Sequence, residues 1–159
     1  MKYRVVLIDD HPILTDGLRM MLENDNHFEV AAAFNTAAFA LSYIRSEGNI
    51  DLVILDHSMP EMTGVELARK LKTTTDPVPK IIMLSMHDEP VIIKEALSAG
   101  VDGYVLKKSV SDKSSQAMEA VMSGKPYWSA EVGQQLFQSA RQNDYAEQTL
   151  TDREIEVLR

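Results

Sequence analysis

The chain has 159 residues, a formal net charge of −8 and no cysteine. That length can bury roughly 70% of its unfolded surface, so no disulfide or structural metal is required, and disulfides and thiolate metal sites are excluded. The acidic balance, without a dense Lys/Arg face, argues against DNA binding by phosphate neutralisation within these residues.

The first apolar run, Val5-Val6-Leu7-Ile8, stops at Asp9 and Asp10. It is too short for a signal-peptide core or a membrane span, so a cytoplasmic protein with no membrane partner is expected. The run reads as a buried strand. Ile13, Leu14, Leu18, Met21 and Leu22 then recur at helical spacing, with Pro12 in a first-turn position. Phe28 to Phe34 is the next strand, and Thr36 is placed to cap a helix carrying Phe39, Ala40, Tyr43 and Ile44. Gly48-Asn49 breaks that helix before a third strand, Leu52 to Leu55. A helix over 64–72, a loop over 76–79 and a strand from Lys80 to Leu84 follow. Helix 90–99 stops at Gly100, Gly103 to Leu106 is a fifth strand, and a helix over 111–123 ends before Gly124.

Wholly apolar strands alternating with amphipathic helices predict a parallel sheet covered on both faces, a doubly wound five-stranded α/β domain. Pro126 to Ser129 reads as a turn, and Val132, Leu136, Phe137 and Ala140 mark a further helix. Arg141 to Thr149 is polar linker. In Leu150 to Arg159, Thr151 and Glu154 have capping-box spacing, so a new helix starts there.

In a doubly wound sheet, ligands bind at the carboxyl ends of the strands. Here those ends carry Asp9-Asp10, Asp56, Ser85 and Lys107. Three converging carboxylates repel one another unless a cation joins them, and oxygen ligands favour Mg²⁺. Asp56 is the candidate nucleophile, since a carboxylate can form an aspartyl phosphate. Mg²⁺ and Lys107 would neutralise the phosphoryl charge, Ser85 would donate to its oxygens, and the Ser58 carbonyl would face the metal. Pro60 would stiffen the loop after Asp56, and Gly64 would permit close backbone approach. Each residue has a plainer reading. Asp10 serves as a helix cap, Asp56 as a loop acid, Ser85 as a turn residue, Lys107 as a solvated lysine, and Tyr104 as half-buried packing with a wet hydroxyl. It is their occurrence at successive strand ends that favours a site.

These residues, Asp9-Asp10, Leu55-Asp56-His57-Ser58-Met59-Pro60, Gly64, Ser85 and Gly103-Tyr104-Val105-Leu106-Lys107, resemble the receiver domains of bacterial response regulators. Asp10-His11-Pro12, Ser85-Met86-His87-Asp88, Ala99 to Tyr104 and the closing Leu-Thr-x-Arg-Glu-x-Glu-Val-Leu are similar to the NarL/FixJ group, which carries a LuxR-type helix-turn-helix. The resemblance implies a flavodoxin-like receiver over 1–125, a helical linker over 126–149, and at 150–159 the first helix of an output domain. It implies that Asp56 takes a phosphoryl group from a histidine kinase. Asp10, Asp56 and the Ser58 carbonyl would contact Mg²⁺, with Asp9 acting through water. Lys107 would pair with the phosphoryl group, and Ser85 and Tyr104 would form the switch pair. A homodimer on phosphorylation is implied, as is DNA binding only through the full-length output domain. The chain would then be a phosphoacceptor regulator, promoting only its own phosphorylation and dephosphorylation. Lys108 stands where many receivers have proline after a cis bond, Ser114-Ser115 where apolar residues are usual, and Ser85 where threonine is commoner.

Two other classes fit less well. An aspartate-dependent phosphatase of the haloacid dehalogenase type needs a second acid where Ser58 stands, and a constitutive interaction module has no use for the acid cluster. No G-x-G-x-x-G follows the first strand, which disfavours a dinucleotide site.

Overall fold

The computed structural model describes residues 2–128. Six strands, β1 (Tyr3–Ile8), β2 (Phe28–Phe34), β3 (Leu52–Asp56), β4 (Lys80–Ser85), β5 (Gly103–Leu106) and β6 (Tyr127–Trp128), form one sheet in the order β2-β1-β3-β4-β5-β6. All pairings are parallel. Five helices alternate with the strands: α1 (Pro12–Glu23), α2 (Ala37–Glu47), α3 (Gly64–Thr74), α4 (Pro90–Ser98) and α5 (Val110–Met122). A 3-10 turn, Lys107–Ser109, leads into α5.

The strands bury alternate side chains on opposite faces. Val6, Ile8, Val53, Leu55, Ile81, Met83, Tyr104 and Leu106 share one core with α2, α3 and α4. Val5, Leu7, Leu52, Ile54, Ile82, Leu84 and Val105 share the other with α1 and α5. This is the doubly wound arrangement expected, with one strand more. The sixth strand lies in the segment read as a turn and linker. Tyr127 and Trp128 pair with Gly103 and Tyr104, and Tyr127 N–H donates to the Asp102 carbonyl. Two residues are too few to show a periodicity, so only the pairing defines them as a strand. The predicted helix over 132–140 and the start at 150–159 lie outside the described residues. Among the described residues no helix is long and apolar enough to cross a membrane.

Local chemistry explains where the helices begin. Pro12 occupies the first turn of α1, and His11, with no side-chain cap, is its N-cap, so Asp10 is not spent on capping. Thr36 sits at the N-cap of α2 but its hydroxyl makes no cap bond. The Ala37 N–H donates instead to the Glu61 carboxylate from the β3–α3 loop. Thr63 caps α3 by accepting from the Glu66 N–H at 3.2 Å. Gly100 ends α4 at φ 88°, a left-handed conformation that favours glycine. The Lys107–Lys108 peptide is trans, the cis bond among the described residues being Asp76–Pro77.

Candidate functional site

The chain order switches direction between β1, flanked by β2, and β3 on its other side. Ligand crevices open at such points. Asp9 and Asp10 follow β1 directly, and Asp56 closes β3. The Gly64 N–H donates to the His57 carbonyl at 2.8 Å, drawing α3 tightly against the end of β3. A Cβ on Gly64 would lie 2.5 Å from the Asp56 carbonyl oxygen and 2.9 Å from the His57 Cα, so only glycine fits there without moving backbone.

Asp56 is 1% exposed and Asp9 4%. Lys107 Nζ reaches Asp56 Oδ1 at 3.0 Å and Asp9 Oδ2 at 3.5 Å. The Ser58 N–H donates to Asp56 Oδ1 at 3.1 Å. Burial pushes the Asp56 carboxyl above its ordinary value, and Asp9 adds to the rise; the Ser58 N–H and Lys107 oppose it. Asp9 Oδ2, Asp10 Oδ1 and Asp56 Oδ2 are buried and have no hydrogen-bond partner. Buried carboxylate oxygens left this way are costly unless a cation satisfies them. The donor set is all oxygen on the acids, which suits a hard cation such as Mg²⁺.

The sequence reading placed Asp9, Asp10, Asp56 and Lys107 together, and they meet. It did not single out His11, whose Nδ1 lies 2.8 Å from Asp9 Oδ1, 3.1 Å from Asp10 Oδ1 and 3.6 Å from Asp56 Oδ2. Its position next to Asp10, at the mouth of the same strand, was the available signal. Ser58 contributes its N–H to the site. Ser85 lies on the neighbouring strand and lines a cavity of about 360 Å³ with Met86, Asp88, Leu106, Lys107 and Lys108.

Ser85 and Tyr104 meet through one residue. The Ser85 hydroxyl accepts from the His87 N–H at 2.9 Å, and the Tyr104 hydroxyl donates to the His87 carbonyl at 2.8 Å. Tyr104 was expected to be half-buried with a wet hydroxyl, but it is 0% exposed, in the core beneath α4, with Trp128 stacked on it at 6.2 Å. Its partner is a backbone carbonyl rather than water, and burial pushes its pKa up to about 12. The His57 and His87 rings meet edge to face at 5.6 Å, and burial followed by that neighbour holds His57 below its usual pKa.

Residues 5–119 match the model of the response regulator receiver domain. The chain belongs to that family. It is similar to the transcriptional regulatory protein MctR of Rhizobium johnstonii, 34% identical over 157 residues that cover 99% of this chain and 72% of the relative. It is 31% identical to the response regulator UvrY of Escherichia coli, covering 97% of this chain and 71% of UvrY. Among solved structures, a LuxR-family two-component response regulator from Aurantimonas superposes with a TM-score of 0.81 at 30% identity, covering 88% of this chain and 99% of that one. The flavodoxin-like receiver fold and the LuxR-type subfamily implied by the motifs are thus both supported. In the LuxR-type regulators to which this chain is similar, the receiver is a phosphoryl-accepting signalling switch on a transcriptional output.

Proposed function

We propose that Asp56 is the phosphoacceptor of this receiver, with Asp9, Asp10, Asp56 and the Ser58 carbonyl as the Mg²⁺ ligands. The observation that carries this reading is the meeting of three acids with one lysine, Lys107 Nζ lying 3.0 Å from Asp56 Oδ1. Oδ1, between Lys107 and the Ser58 N–H, is the oxygen that attacks phosphorus; Oδ2 lies on the side of His11. In the transfer an O–P bond forms as the N–P bond of a kinase phosphohistidine breaks, and the electron pair leaves with the imidazole nitrogen. Bound Mg²⁺ would neutralise charge on the phosphoryl oxygens. Lys107 pairs with the transferred group, and the Ser85 hydroxyl donates to it.

The Ser85 hydroxyl accepts from the His87 N–H, and His87 also holds Tyr104, so a displacement of Ser85 toward the phosphoryl group pulls on His87. The phosphoryl contact at Ser85 therefore reaches Tyr104 through a single residue of the β4–α4 loop. The result is a population shift favouring repacked β5 and α4 surfaces, and a homodimer. The partner is a histidine kinase. DNA is engaged only through an output domain, whose first helix would be 150–159 after a linker at 126–149. The similarity to MctR extends well past the receiver match, and RcsB, a structural relative at 29% identity, has been solved as dimers bound to DNA.

Incubation with acetyl phosphate and Mg²⁺ should add one phosphoryl group to the wild type and none to Asp56→Asn, read by intact mass. Equal labelling of both proteins would refute the assignment.

A further inference from the structure

The acids of this site do not stand alone. The backbone N–H of His11 donates to Asp9 Oδ1 at 2.7 Å, and its imidazole turns Nδ1 into the cluster. One nitrogen is thereby held among three carboxylate oxygens and the Lys107 ammonium, which lies 3.1 Å away. Either arrangement of protons satisfies one neighbour, a carboxylate or the ammonium, and opposes the other. With a proton on Nδ1 it faces the ammonium donor to donor; without one, its lone pair faces carboxylates at 2.8 and 3.1 Å.

A divalent cation removes the conflict, because lone pairs and carboxylates can converge on it together. Distances favour that reading. In an octahedral shell with bonds of roughly 2.1 Å, adjacent donors stand about 3 Å apart. The separations from His11 Nδ1 to the three acids are 2.8, 3.1 and 3.6 Å, and one donor from each of the four residues lies within 4.8 Å of the others. Asp9 and Asp56 are more than nine-tenths buried, and each aims an unpartnered oxygen into the cluster.

We infer that His11 is a fourth side-chain ligand of the cation site and that its imidazole shifts the site's preference from Mg²⁺ toward nitrogen-accepting ions such as Mn²⁺ and Co²⁺. An all-oxygen set suits Mg²⁺, which accepts imidazole poorly. One nitrogen donor adds affinity along the first transition row, where ions bind such ligands more strongly. His57, the other imidazole near Asp56, packs its ring on His87 instead.

This inference rests on the cation site proposed above, and its test separates the two. The whole 159-residue chain is titrated with Mg²⁺, Mn²⁺ and Co²⁺, affinity being read from the shift in thermal midpoint, and the Mn²⁺-loaded protein is examined by pulsed electron paramagnetic resonance. Nitrogen modulation from a bound imidazole is expected in the wild type and in His57→Asn, and its loss in His11→Ala and His11→Asn. The Co²⁺-over-Mg²⁺ affinity ratio should fall tenfold or more in the His11 variants. A wild-type Mn²⁺ spectrum without nitrogen modulation overturns the inference, whether or not the variants fold. So does an unchanged ratio, or tighter Mg²⁺ binding in His11→Ala without a nitrogen signal, which would make the imidazole a plug. Acetyl phosphate labelling of the same preparation reports on Asp56 separately. An unlabelled protein with intact nitrogen modulation sinks the phosphoacceptor assignment alone.

Discussion

The two halves of the sheet's carboxyl edge are built on opposite principles. At the ends of β1 and β3, Asp9, Asp10 and Asp56 crowd together with three buried oxygens unpartnered and one lysine in reach. At the ends of β4 and β5, the Ser85 and Tyr104 hydroxyls are equally buried, yet both are satisfied by His87. The first half holds unresolved negative charge, which a bound cation can relieve. The second is at rest and can be moved only by offering one of its hydroxyls a better partner. A switch needs both, a source of binding energy beside an element with two arrangements.

Removing the lysine should break this contrast most severely. Lys107→Ala leaves two buried carboxylates without their counter-charge, a loss of about 3 kcal/mol in pairs of this kind. Urea unfolding at neutral pH should show that loss, and Mg²⁺ should restore much of it, since a ligand at about a hundred times its Kd contributes about 2.7 kcal/mol. An unchanged midpoint would mean that Lys107 does not hold the acids.

Neutralising Asp56 should act in the opposite direction. Burial raises its pKa above the ordinary 3.8, so the folded state binds its proton more tightly than the unfolded chain. Below 3.8 both states are protonated and the native state has its full share of stability from this group. That share is lost as pH rises through the elevated folded value. Asp56→Asn should therefore match the wild type near pH 3, gain on it above pH 4, and stay ahead at neutral pH by a few degrees in thermal midpoint. A constant gap across that range would place the effect elsewhere. No such gain is expected in saturating Mg²⁺, where the wild-type carboxylate is compensated.

The residues on the charged half were legible in the sequence because like charges at strand ends are conspicuous and the topology forces those ends together. The satisfied half was less legible. The partner of Tyr104 is a main-chain carbonyl, which no residue identity announces, so its hydroxyl was expected in water. Similarly, Glu61 rather than Thr36 satisfies the start of α2, and Tyr127-Trp128 become a strand only through β5. For His11, adjacency to Asp10 was a signal of place only, because it does not fix which way an imidazole turns. Tyr104→Phe examines the resting half directly. It removes the donor to His87 while keeping the ring, so a loss of about 1 kcal/mol is expected, with acetyl phosphate labelling retained and the phosphorylation-linked change in size weakened. Full retention of that change would remove Tyr104 from the switch.

The smallest effect bears on what an unpartnered oxygen means. Ser114 Oγ is buried and unpaired like the acid oxygens, though it shares the buried face of α5 with Val110, Ala117, Met118 and Val121. If lack of a partner by itself marked function, replacing it should damage the switch. It is a neutral hydroxyl with no converging charges, so no ligand could repay its burial. Ser114→Ala removes the desolvation penalty and suits the helix interior, and should raise stability by about 1 kcal/mol in urea unfolding while leaving phosphorylation unchanged. A loss of stability would show that the hydroxyl has a partner after all. A gain, set against the behaviour of Lys107→Ala, would show that what distinguishes the site is not unsatisfied polarity but unsatisfied charge of one sign, gathered where a cation can reach it.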